Sequence, residues 1–242
     1  MEAIPEADIL AHADEKDTDN DGISGKPNYV FDRVSGKKQL GRFGWKANTA
    51  TLLEQCAAAY LNDMGITNSL FPYETGPDDS LRDDPELSDK ILESVAFYCR
   101  TLAVPASRNH DLVRKGASLF EKLGCAKCHI PEFRTGASPV PALSYQTIFP
   151  YTDMLLHNMG DDLADNRPDY QATGSEWKTR PLWGIGLTRL INGHTRFLHD
   201  GRAGNLTEAI LWHGGEALSS KNGFKQLPEA DRQALLDFLN SL

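Results

Sequence analysis

Cys125-Ala126-Lys127-Cys128-His129 spells C-x-x-C-H, the attachment signature of a c-type haem. Each residue has a chemical task. Two cysteine sulfurs three positions apart can each add to a vinyl group of one haem, and the histidine that follows lies where its imidazole can ligate the iron. Two other chemistries use paired cysteines. A thioredoxin-type redox pair has no need of the histidine. A zinc site needs two further ligands, and the chain has neither a second C-x-x-C nor an H-x3-H. Covalent haem is therefore the expected cofactor, with Cys125 and Cys128 as its anchors and His129 as the proximal iron ligand.

The segments around the motif read as helices and loops. Asp111 to Leu123 carries Val113, Gly116, Leu119 and Phe120 along one face and runs straight into Gly124-Cys125. A helix leading into C-x-x-C-H is how a cytochrome c domain begins. Ile130 to Pro181 reads as loop, as expected where chain wraps the edges of a haem. Leu206 to His213 reads as a short helix behind Asn205, a good N-cap. A terminal helix starts near Pro228-Glu229. It is expected to pack on the helix that enters the motif.

Upstream, residues 13 to 28 are polar and acidic, and residues 41 to 47 form an aromatic and basic loop. Helices are expected at Thr51 to Met64 and Asp89 to Ala103, with a loop at residues 72 to 86 between them. Ser107-Arg108-Asn109-His110 looks like a boundary. The fold expected is all-α: residues 1–106 as the rear part of a first cytochrome c-like domain, and residues 107–242 as a C-terminal haem domain with long loops.

Of 242 residues, 24% are charged and 40% apolar, which is ordinary for a globular protein. A net charge of −9 argues against nucleic acid as a partner and suits a basic redox protein. No apolar run approaches the length of a membrane span. Haem c is attached outside the bacterial inner membrane, so a periplasmic location is expected. Met1-Glu2-Ala3-Ile4-Pro5 lacks a secretion signal, which leads us to expect a mature form or a fragment. Cys56 and Cys99, both on expected helices, either form a disulfide, as an oxidising compartment permits, or stand as separate buried thiols.

Asp17-Thr18-Asp19-Asn20-Asp21-Gly22 matches the front half of an EF-hand-type loop. Asp17, Asp19 and Asp21 are candidate calcium ligands, with Asp14, Asp32 or carbonyls as supplements. The twelfth position is Asn28 rather than glutamate, so a solvated acidic turn is the competing reading.

What sits opposite His129 decides the haem chemistry. Met154, His157, Met159, His194, His199 and His213 are the candidates downstream of the motif. Three segments recur together in a known arrangement: Gly124 to His129, Trp177-Lys-Thr-Arg-Pro-Leu-Trp-Gly-Ile-Gly186, and Phe197-Leu-His-Asp-Gly-Arg-Ala-Gly-Asn-Leu-Thr-Glu-Ala-Ile210. They resemble the C-terminal haem domain of the bacterial dihaem cytochrome c peroxidases and the methylamine-utilisation dihaem enzymes. Gly41 to Ala47, Asp63 to Thr67, Tyr151 to Gly160 and Leu211-Trp-His-Gly-Gly-Glu216 resemble one branch more closely. That branch is the dihaem oxidoreductase family of peroxidase-like proteins, also called thiol oxidoreductases. The resemblance covers nearly the whole chain.

The resemblance implies a distal ligand at His213, where the peroxidases carry methionine and the methylamine-utilisation enzymes tyrosine. A six-coordinate, low-spin His129/His213 iron is expected, with Met159 as the runner-up ligand. It also implies that His199 lies near the haem, bonded to a propionate or to backbone. One or two of Lys178, Arg180, Arg196 and Arg202 would serve the propionates, Arg180 first among them. Trp177, like Trp183 and Trp212, would either pack on the porphyrin or belong to an ordinary aromatic core.

The family carries two haems, yet this chain has one C-x-x-C-H. The second haem domain would lie outside the chain, with calcium between the two. A small redox protein would donate electrons through the His129/His213 haem to the second haem, which reduces peroxide. On that reading no residue here is catalytic. The alternative is a stand-alone monohaem electron carrier. The thiol label finds no support, since Cys56 and Cys99 are not in a C-x-x-C arrangement.

Overall fold

A computed structural model describes residues 1–74, 85–108 and 113–242. The inter-helix loop expected at residues 72 to 86, Asn109-His110 of the expected boundary and the first two residues of the expected 111–123 helix fall wholly or partly outside these.

Helices form where the sequence caps them. In α2 (Leu52–Met64), Thr51 accepts a bond from the Glu54 amide and Gly65, left-handed at φ 72°, closes the end. α3 (Asp89–Thr101) packs beside it through Ala57, Leu87 and Leu92, all buried. α4 (Arg114–Lys122) leads into the C-x-x-C-H motif, and α8 (Glu229–Ser241) lies across it. The crossing is close because Gly116 has no side chain: a Cβ there would lie 2.1 Å from the Ala234 carbonyl oxygen. Phe120, Leu182, Leu206, Phe224, Leu235, Phe238, Leu239 and Leu242 form the core of this half. The Phe120 and Phe238 rings meet edge-on at 5.4 Å. Three further helices complete the count of described α-helices beside the N-terminal α1 (Glu6–Leu10): α5 (Thr188–Asn192), α6 (Leu206–Trp212) and α7 (Leu218–Gln226).

The all-α expectation is corrected. The chain is 39% helix and 12% strand, with three small antiparallel sheets, so the fold is mixed α/β. β1 (Tyr29–Asp32) pairs with β2 (Lys37–Leu40), β3 (Phe133–Arg134) with β4 (Thr147–Ile148), and β5 (Leu156–Asn158) with β6 (Glu176–Lys178). The reason is backbone chemistry. Chain buried between helices must still satisfy its amides and carbonyls, and short ladders do so. Lys26 and Leu156 exchange both backbone bonds at 2.8 Å, which joins the first thirty or so residues to β5. Ile4, Ile9, Leu40, Phe133, Met154 and Leu155 form a second core under this seam. No helix among the described residues is long and apolar enough to cross a membrane.

Candidate haem site

α4 ends at Gly124, left-handed at φ 82°, and the chain turns at once into a 3-10 segment, Cys125–Lys127. That turn is closed by the His129 amide on the Cys125 carbonyl at 3.0 Å. It sets both thiols and the imidazole against one cavity of about 430 Å³. Phe120, Leu123, Leu182, Leu206, Phe224 and Leu239 supply much of its apolar lining. Burial pushes the Cys125 thiol up to about 12 and raises Cys128 as well, so both sulfurs are neutral thiols.

The two expected iron ligands share an unusual feature. His129 Nδ1 donates to the Tyr151 carbonyl at 2.9 Å, and His213 Nδ1 donates to the Ala209 carbonyl at 2.7 Å. A carbonyl oxygen only accepts, so the proton of each ring is fixed on Nδ1. Each Nε2 keeps its lone pair. Burial lowers both rings' affinity for a second proton, His129 down to about 4, and the nearby His213 adds to the effect. Two neutral imidazoles oriented by backbone carbonyls are what iron ligation requires. Tyr151 holds its carbonyl in place from a left-handed backbone at φ 53°, a strained conformation for an aromatic residue. Both histidines line the cavity. The donor set, the thiol pair and the apolar walls fit haem.

All seven cofactor residues expected from the sequence line this cavity: Cys125, Cys128, His129, Trp177, Arg180, His199 and His213. His199 is engaged by aromatic rings. It stacks on Trp177 with ring centroids 3.7 Å apart, and Trp45 meets its edge at 6.5 Å. The Arg180 guanidinium lies 4.2 Å from the centroid of Trp45. Met159, Trp183, Arg196 and Lys178 also line the cavity. Met154 instead sits in the second core, while Trp212 carries the Arg202 guanidinium at 4.7 Å. His194 is exposed and accepts from the Arg196 amide.

Behind the motif, His157, expected only as a candidate ligand, meets Asp153 and Glu216, which sequence reasoning missed. His157 Nε2 is 2.8 Å from Asp153 Oδ2 and its Nδ1 is 2.8 Å from Glu216 Oε2, with Cys128 Sγ at 3.6 Å. Burial alone would lower the basicity of this ring, but Asp153, Cys128 and Glu216 hold it well above the usual imidazole range. Both of its ring nitrogens are engaged by carboxylates, which favours the protonated ring. Glu216 is pulled down to about 2: burial works against this, and His157, the Asn158 amide and Ser24 outweigh it. The only available signal was that His157 and Glu216 fall inside two of the resembling segments, Tyr151 to Gly160 and Leu211 to Glu216.

In the acidic loop, one carboxylate oxygen from each of Asp17, Asp19 and Asp21 lies within 4.8 Å of the others. Asn28, the twelfth position, is turned inward and donates to the Lys46 carbonyl at 2.8 Å. Lys127 Nζ, from within the C-x-x-C-H motif, lies 2.9 Å from Asp21 Oδ2 and supplies positive charge there.

Among solved structures, the chain is similar to Kuenenia stuttgartiensis hydrazine synthase pressurised with xenon, at 20% identity and a TM-score of 0.39, over 64% of this chain. This chain spans 56% of the length of that one. None of the curated proteins matches. The model of the family described as "Di-haem oxidoreductase, putative peroxidase" matches residues 1–242, the full length, and with the haem-type cavity in view the chain belongs to the di-haem oxidoreductase family.

Proposed function

We propose that this chain is the electron-transferring haem c portion of a periplasmic, peroxidase-like dihaem oxidoreductase. It would accept electrons from a small redox protein and pass them to a second haem outside the chain. The observation that carries the reading is the matched pair His129 and His213, each with Nδ1 tied to a carbonyl and Nε2 left free in one cavity. Bound haem supplies the reversible one-electron chemistry that side chains here lack.

This chain's residues hold and shield that group. Cys125 and Cys128 would anchor it through thioethers. His129 and His213 would hold the iron through their free nitrogens, and peroxide turnover would then fall to the second haem. Phe120, Leu206 and Phe224 line the cavity and would keep water from the group. His157 keeps its proton between Asp153 and Glu216, which makes a compact hydrogen-bonded charge cluster behind Cys128. Asp17, Asp19 and Asp21 take calcium in this reading, in competition with Lys127.

The test is expression with haem-attachment machinery. Pyridine haemochrome should read one haem c per chain, and the ferric spectrum should be low-spin. His213→Ala should turn the spectrum high-spin or make it ligand-exchanging. An unchanged low-spin spectrum refutes His213 and gives the position to Met159. Peroxide turnover by this chain alone refutes the division of labour. An electron carrier that exchanges with redox proteins and has no second haem partner would be the stand-alone cytochrome.

A further inference from the structure

Two buried lysines sit in matching dipeptides, Trp45-Lys46 and Trp177-Lys178, and their surroundings differ in one respect. Lys46 is 4% exposed and fully partnered: its Nζ bonds the Asp165 carboxylate at 2.7 Å and the carbonyls of Arg167 and Thr173 at 2.7 and 2.8 Å. Lys178 is 3% exposed and has one such bond, to the Arg42 carbonyl at 3.1 Å. Among the described residues no carboxylate forms an ion pair with it. An ammonium carries three donors, and a buried one without an anion is costly.

The position of Lys178 says where the anion belongs. It ends β6, locked by pairing with Leu156 and by its own amide on the Trp45 carbonyl at 3.0 Å. It lines the haem-type cavity, which Lys46 does not. Arg180, two residues on, lines the same wall and has no acidic partner among the described residues beyond its stack on Trp45. Asp153, the acidic group that acts on Lys178, is itself committed to His157 and to the Leu155 amide. Burial, and then Arg180, push the lysine's affinity for its proton down to about 7. The cavity thus has a surplus of positive charge on one wall and an apolar remainder.

We propose that Lys178 is the buried counter-ion of a haem propionate, with Arg180 as its partner at the rim. The assignment rests on the haem reading above. Of the groups a haem c brings into the cavity, the propionates are the anions, and one of them completes the bonding that Lys178 lacks. A cation held there favours the reduced, less positive haem.

The test uses the holo-protein. Haem content is read first: a wild-type chain without haem refutes the function proposed above, not this assignment. With haem bound, Lys178→Met should keep the low-spin spectrum and shift the one-electron equilibrium towards ferric by about tenfold, a fall of about 59 mV. Lys178→Arg should restore most of that shift. If Lys178→Met does not accumulate, Lys178→Gln carries the same measurement. An unchanged potential in a fully loaded variant overturns the proposal, since a merely structural lysine would leave it there. A change of spin state overturns it as well, since it would place Lys178 on the iron.

Discussion

Gly116→Ala sets two effects of known size against each other. Alanine inside a helix is favoured over glycine by about 0.5–1 kcal/mol, so on an isolated α4 the change would stabilise. On this α4 the new Cβ would stand 2.1 Å from the Ala234 carbonyl oxygen and 2.6 Å from Phe238 Cβ. Ordinary contact begins at 3.4 Å, and the nearest atom belongs to the backbone of α8, which cannot rotate away. The helices must separate by about 1 Å, and a gap of that size forfeits roughly a quarter to a half of the contact attraction along the seam. Overpacking of this kind costs about 1–3 kcal/mol, often more than the propensity gain. A net loss of ~1 kcal/mol lowers Tm by roughly 2–4 °C in a chain of this length. Thermal unfolding of the holo-protein, followed by far-ultraviolet dichroism and by the Soret band, reads it. The two probes should fall together, because α4 carries the haem attachment. A variant that melts at or above the wild type would refute the close crossing, and with it the placement of the motif against α8.

The acid limb of stability should depend on Glu216. Its affinity for a proton lies far below the ordinary 4.5, at about 2, and a carboxylate so depressed stabilises above pH ~4.5 and loses that contribution as pH falls towards 2. The difference is worth about 3 kcal/mol, counted once for the Glu216–His157 pair. Denaturant unfolding between pH 2 and 5 should be flatter in Glu216→Gln, and parallel slopes would exclude the pairing. Cys56 and Cys99 face each other across α2 and α3, where burial first and the Cys99 thiol second push Cys56 up to about 11. Oxidised glutathione should close them into a disulfide, with two thiol protons and two electrons passing to glutathione. A crosslink spanning 43 residues stabilises by about 4 kcal/mol in the loop-entropy account. Failure of intact-mass analysis to find a loss of two hydrogens, with both cysteines still alkylated, would count against it. Calorimetry should read one weak calcium site that Lys127→Ala tightens, and no heat in either protein would leave the acidic turn simply solvated.

Much of the helical frame was legible because its signals are local. Asn205 does accept from the Glu208 amide, at 2.8 Å, and α6 starts one residue later. α2 and α8 begin where Thr51 and Pro228 predict. α7 gave no such signal, because Leu218-Ser-Ser-Lys-Asn-Gly-Phe-Lys-Gln226 has Asn and Gly in its interior and one strongly buried apolar residue, Phe224. The strands were illegible for a different reason. Alternation needs several residues to register, and β3 to β6 have two or three each. Site residues divide along the same line. Cys125, Cys128 and His129 lie in one pentapeptide, and His213 needed a resemblance to place it. The Asp153–His157–Glu216 group draws on two segments fifty-nine residues apart at His157 and Glu216, and no spacing rule connects them.

That group ties separate pieces of chain together around the cavity. His213 is followed by Gly214-Gly215-Glu216, and the glycines let this segment lie against β5: a Cβ on Gly215 would sit 2.1 Å from the Asn158 carbonyl oxygen. Glu216 then bonds His157 and the Asn158 amide in β5 and Ser24 in the N-terminal segment. His157 reaches Asp153, whose amide bonds the Cys128 carbonyl at 2.9 Å. The C-x-x-C-H motif and the His213 segment are therefore tied to one charged centre rather than to each other. Stiffness follows from this arrangement, since moving His213 away from the cavity requires breaking charge-assisted bonds in a largely buried site. On the function proposed above, such a frame would keep reorganisation small, and reorganisation slows electron transfer. The same frame gives the acidic loop a mechanical route to the haem, through Ser24 to Glu216 and through Asp21 to Lys127.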